Sequence, residues 1–252
     1  MAVMPAIVSP VAYGGSLSVA ALVCAALCIE ARRRPGAWTV VAARSIGLVM
    51  AVDAVSFAIS QAVQGTWSAS TSLPLALCNM AVLVAITACW WRIPLLVELT
   101  WFWGMAGTLQ AVATPDLSAG FPHLVFFQYV IGHLGIVVAA LYLVVGLRIA
   151  PRPGAVRRVF TLTAAYTAGV GLVDALTGAN YMFLRRPPPN WTLLRLLGPW
   201  PWYIPSAAGV ALVLLIVLDA PFRRARPDAS DESRRPRRAA GATGFRRRPA
   251  AG

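Results

Sequence analysis

Cys78, in the run LPLALCNM at 73–80, is a thiol set in an apolar segment, and His133 is an imidazole set in another. A thiol becomes an acyl-carrying nucleophile when a base takes its proton and hydrogen-bond donors hold the developing oxyanion. Gln110 and Asp174 lie at comparable depth in two further apolar runs and are candidates to orient that base. The other cysteines, Cys24, Cys28 and Cys89, also fall within apolar runs. Buried thiols of that kind act as small hydrophobes, so none of the three is expected to react. The four cysteines lack metal-ligand spacing, and neither a metal site, a disulfide framework nor a cofactor is expected.

Other polar groups occupy similar places. An ionisable side chain at the centre of a membrane helix costs about 2.5–3.5 kcal/mol and must face protein or a wet cavity. Asp53 shares a helical face with Ser56 and Ser60, and Asp174 shares one with Thr163, Thr167, Gly178 and Tyr181. Such seams join helices when their members are small or hydroxylic, a reading that suits the threonines better than the carboxylate. Asp116, Asn180 and Tyr181 join Asp53 as candidate substrate-binding residues. Trp200 and Trp202, in LGPWPWY at 197–203, read as aromatic anchors at headgroup level.

The elements that must position these groups follow from composition. Across 252 residues the chain is 58% hydrophobic and only 12% charged, more apolar than one soluble core of this length can hide. At roughly 20 apolar residues per crossing, seven spans emerge at about 6–29, 37–62, 73–91, 95–112, 121–147, 159–184 and 202–218. The expected fold is an all-α, multi-pass cell-membrane protein with a 1–220 transmembrane domain. All 22 basic residues are arginines, and eighteen of them follow the first, third, fifth and seventh spans, against three on the other side. The positive-inside rule then puts the N-terminus outside and the C-terminus in the cytoplasm. Residues 221–252, arginine-rich and nearly devoid of large apolar side chains, read as a disordered tail. Basic residues placed this way are orientation signals, so no nucleic-acid partner is expected; membrane lipid is. The opening MAVMPAIVSP has no charged n-region and reads as retained.

The segments LPLALCNM (73–80), ELTWFWGMAGTLQAVATPDL (98–117), HLGIVVAALYL (133–143), LTGANYMFLRRPP (176–188) and LGPWPWY (197–203) resemble the YwaF-like bacterial integral membrane proteins over about residues 37–222. That family in turn resembles, more distantly, a eukaryotic TMEM-class phospholipid acyltransferase with a membrane cysteine as nucleophile. The resemblance implies that Cys78 is the family cysteine and His133 its fifth-span histidine. It also implies two departures: Ala76 stands where the family motif LPLHLC has histidine, and Asp174 where asparagine is expected. Loss of a histidine base at 76 would impair the chemistry.

Three functions stay open on these residues. One is lipid acyl transfer through a Cys78 thioester, in a polar pocket in the outer half of the bilayer. Another is a small-solute or ion transporter using buried carboxylates as a relay. The third is a noncatalytic lipid-binding or assembly protein, in which the polar seams only join helices.

Overall fold

The computed structural model describes residues 9–115, 117, 119–188 and 193–224. Among these residues the chain is all helical, without a strand. Ser9 caps the first helix, its hydroxyl accepting from the Ala12 amide, and Pro10 opens it with a preset φ. The helices are α1 (Pro10–Arg33), α2 (Trp38–Val63), α3 (Leu77–Trp91), α4 (Pro94–Phe102), α5 (Leu109–Ala113), α6 (Leu124–Leu141), α7 (Ala155–Thr177) and α8 (Tyr203–Arg224). A π-helical turn, Trp103–Thr108, joins α4 to α5 into one bent rod, and a second, Tyr142–Gly146, prolongs α6.

Five helices are long and apolar enough to cross a membrane, while α3 is a shorter apolar helix. Burial ranks them. In α6 and its π turn 44% of the apolar window is buried, against 11–17% in α1, α2, α7 and α8. The centre is therefore α6, packed on α3 and the α4 rod, and the outer helices turn valine and leucine outward: Val41, Val49, Val52, Leu172 and Val213 are all exposed. Water would penalise that surface, whereas lipid accepts it. The inner face of α3 is built from Ala81, Ala85, Ala88 and Cys89, all fully buried, so its neighbours approach closely. Gly104 serves the same contact, since a Cβ there would lie 3.1 Å from a methyl of Ile136 and 3.4 Å from Ala140.

The helix ends differ from the sequence expectation for identifiable reasons. The third span starts at Leu77 rather than Leu73, because Pro74 and the extended Ala76 hold the chain outside the helix. The sixth stops at Thr177, where Gly178 takes the left-handed conformation (φ 78°) as C-cap; residues 178–184 form a tight turn rather than the end of a span. The seventh runs on through Pro221 to Arg224, so the first four residues of the expected disordered tail are helical. Residues 225–252 lie outside the described residues.

At one end of the bundle, Glu98 on α4 is 1% exposed and accepts five hydrogen bonds. Arg152 contributes its amide and guanidinium, with Nε 2.9 Å from Oε1, and Arg158 places Nη2 2.8 Å from the same oxygen. The carboxylate thus fastens the α6–α7 connection to α4, and it holds Arg152 above its ordinary pKa. The same end carries Arg32, bonded to the Val145 carbonyl, and Arg223, paired with Asp219 at 2.6 Å. Arg44, within α2, stacks its guanidinium 5.6 Å above the Trp90 ring.

Candidate functional site

At the opposite end of the bundle, Cys78 is the second residue of α3 and half-buried. Its N-cap, Ala76, has no side chain able to cap the helix, so the amides of the first turn keep the free donors that every helix N-terminus presents. The hydroxyl nearest the thiol in its electrostatic surroundings is that of Thr108, a residue 1% exposed at the last position of the first π turn. Thr108 also donates to the Trp103 carbonyl at 3.4 Å. The thiol thus belongs to the first turn of a helix whose amides no side chain caps.

Two tyrosines fix the approach to that helix. The Tyr166 hydroxyl donates to the Leu75 carbonyl at 2.9 Å. The Tyr181 hydroxyl donates to the Ala69 carbonyl at 3.0 Å and accepts from the Leu73 amide at 2.9 Å. Tyr181 is itself held by Asp174, whose Oδ1 accepts from the Tyr181 amide at 2.9 Å. Asp174 is fully buried, and its Oδ2 has no hydrogen-bond partner. Its visible work is to close the turn after α7 and to present Tyr181 to the segment leading into Cys78.

The expected constellation assembles only in part. His133 does not bond to Cys78. Its Nδ1 lies 2.9 Å from the Tyr129 carbonyl one turn back, and its ring stacks on Tyr129 at 4.1 Å. In the neutral ring this fixes the proton on Nδ1 and leaves Nε2 as the acceptor nitrogen. Gln110 is exposed and folds back on its own helix, donating to the Ala106 carbonyl at 2.8 Å; the residue beside the thiol is Thr108. Asp53 faces Gly132 of α6, where an added Cβ would stand 3.5 Å from Oδ2. Asn180 spends its amide within the chain, accepting from the Arg185 and Arg186 amides and donating to the Arg186 carbonyl. Trp200 and Trp202 are exposed, and Trp200 donates to the Leu184 carbonyl at 3.0 Å. Asp116 lies outside the described residues. Thr163 accepts from the Trp103 indole at 2.9 Å, so that member of the polar seam does join helices.

Two features escaped the sequence reading. Gln128 is 6% exposed; its Nε2 donates to the Ser56 hydroxyl at 3.1 Å, while Oε1 has no hydrogen-bond partner. An amide inside the run LVFFQYV was the available signal. The Glu98 pairing was the second: an acid opening one apolar run, with arginines after the next, marks a buried ion pair as readily as an orientation signal. Among the described residues no three His, Cys, Asp or Glu side chains gather as a metal site.

A family model for TMEM164 matches residues 8–219. No curated protein and no solved structure matches. The match overturns the bacterial YwaF-like resemblance: the family found is a eukaryotic TMEM family, and nothing supports the YwaF-like one. The reading of Ala76 and Asp174 as departures from a YwaF-like pattern falls with it, and their places in the fold, helix N-cap and turn closure, stand on their own. With 8–219 of its 252 residues matched, the chain belongs to the TMEM164 family.

Proposed function

We propose that this membrane protein transfers acyl groups between lipids through a thioester on Cys78. The observation that carries the proposal is the setting of that thiol, half-buried in the first turn of a helix that has no side-chain cap, with the Thr108 hydroxyl in its surroundings. In the first half-reaction sulfur attacks a phospholipid ester carbonyl, the ester C–O bond breaks, and the thiol proton leaves on the lysolipid hydroxyl. In the second, the hydroxyl of another lysolipid attacks the thioester carbonyl, the C–S bond breaks as the new ester C–O bond forms, and the hydroxyl proton returns to sulfur. No redox partner is needed. The first-turn amides of α3 suit the oxyanion of both steps, and Thr108 suits the thiolate. The neutral Nε2 of His133 is the imidazole acceptor for the proton once the lipid closes the gap.

The orientation proposed with it places the Cys78 end in the outer leaflet of the cell membrane and the arginine-rich end in the cytoplasm, with seven crossings. The charge asymmetry of the loops supports this. The test is incubation of the reconstituted protein with an alkyne-tagged phospholipid. Hydroxylamine-sensitive label on Cys78 is expected, absent from Cys78→Ala. Label confined to Cys24, Cys28 or Cys89, or none at all, removes the reading in favour of a noncatalytic lipid-binding protein.

A further inference from the structure

A cleft of about 340 Å³ opens between the α2–α3 connection and the turn after α7, lined by Ser70, Thr71, Asn180, Tyr181 and Arg186 among others. Its walls are fixed. Tyr181 stitches one wall to the other through Ala69 and Leu73, and Asn180 pins the backbone of Arg185 and Arg186. With its backbone fixed, Arg186 is exposed, and its guanidinium makes no hydrogen bond or ion pair among the described residues. Facing it, Ser70 and Thr71 belong to a hydroxyl cluster around Ser68, at 3.0 and 2.8 Å. Among the described residues no acid lines the cleft.

A guanidinium opposite hydroxyl donors, without a competing carboxylate, is complementary to a phosphate. The surroundings say which phosphate. Leu176 and Phe183, which precede and follow the cleft's Gly178–Tyr181 wall in the chain, are exposed, as is Trp200, which is tied to the same turn through the Leu184 carbonyl; apolar surface beside a phosphate site suits a lipid better than a free anion. We propose that this cleft holds the phosphate of a phospholipid headgroup, with the chains running down the apolar rim. The segment from Thr71 to Cys78, tied down by Tyr181 and Tyr166, connects the cleft to the thiol. The inference rests on the acyl-transfer reading in naming which part of the substrate the cleft holds.

The test uses the full chain in nanodiscs and a phospholipid carrying a diazirine in its headgroup. Crosslinks are expected in residues 69–73 and 178–186, about tenfold weaker in Arg186→Gln and largely restored in Arg186→Lys. A diacylglycerol bearing the same diazirine is expected to leave those segments unlabelled. Thr71→Val provides a second variant with the charge intact and an expected loss of several-fold. Equal labelling by diacylglycerol, or labelling indifferent to Arg186→Gln, overturns the proposal; so does full displacement by millimolar inorganic phosphate, which identifies a small-anion site only. A phosphate-free activated ester, offered in parallel, separates this inference from the thioester reading. Arg186→Gln should acylate Cys78 normally from that ester and about tenfold less from phospholipid. Acylation of Cys78 from neither donor in the unaltered protein defeats the thioester reading, whereas equal acylation from phospholipid in Arg186→Gln defeats the cleft alone.

Discussion

The thiol of Cys78 differs from the other three in its surroundings rather than in its type. Cys24, Cys28 and Cys89 are buried in apolar clusters, with Cys28 held against the Leu141 carbonyl at 3.7 Å; only Cys78 has a helix N-terminus and a hydroxyl beside it. Thr108→Val keeps the volume and removes the hydroxyl. It is expected to slow alkylation of Cys78 by a membrane-permeant maleimide several-fold, while the labelling of Cys89 does not change. Glu98→Gln tests the other end of the molecule. It keeps the shape but removes the charge that two guanidiniums share, and since both arginines remain partly solvated the expected loss is roughly 1–3 kcal/mol, read as a lowered melting temperature in detergent. The candidate thiol was legible in the sequence because an isolated polar type stands out in an apolar run. Its surroundings were not: of two polar residues two positions apart, Thr108 is buried within the π turn while Gln110 is exposed and folds back on its own helix.

At the scale of elements, hydropathy located the helical rods, five of which are long and apolar enough to cross a membrane, because length and apolar content are properties of the chain itself. It could not show where a rod changes winding. The π turns at Trp103–Thr108 and Tyr142–Gly146 arise from packing against neighbours, and each rotates the following residues relative to a uniform helix. Gly104 sits in the first of them against Ile136. Gly104→Val is expected to cost about 1–3 kcal/mol through overpacking, again visible as a melting shift, whereas Gly14→Val, at a position with open space around it, should leave stability nearly unchanged. Tyr181→Phe removes both hydroxyl contacts to the α2–α3 connection. The expected result is faster proteolysis at residues 66–73 with the helices intact.

For the whole molecule, the arrangement has a core of α3, the α4 rod and α6, outer helices facing lipid, and opposite chemistry at its two ends. One end gathers arginines around Glu98 and Asp219; the other gathers hydroxyls, tryptophans and Cys78. The asymmetry in charge was readable from loop composition alone, while the partners of Glu98 were not, since pairing across 54 or 60 residues leaves no local pattern. The proposed orientation predicts that an impermeant thiol reagent applied to intact cells modifies a cysteine introduced at Ser70 and spares one introduced at Arg157. The reverse result would invert the topology.

That pairing across 54 and 60 residues bears on biogenesis. Glu98 reaches the membrane in α4 before Arg152 and Arg158 have been synthesised. At about 5–20 residues per second the interval is roughly 3–12 seconds, during which a carboxylate destined for the interior has no counter-charge. The α3–α4 hairpin must therefore wait beside the insertion machinery, or with Glu98 at the aqueous boundary, until the ribosome delivers the start of α7. The Glu98 cluster is complete only once Arg158 has been delivered.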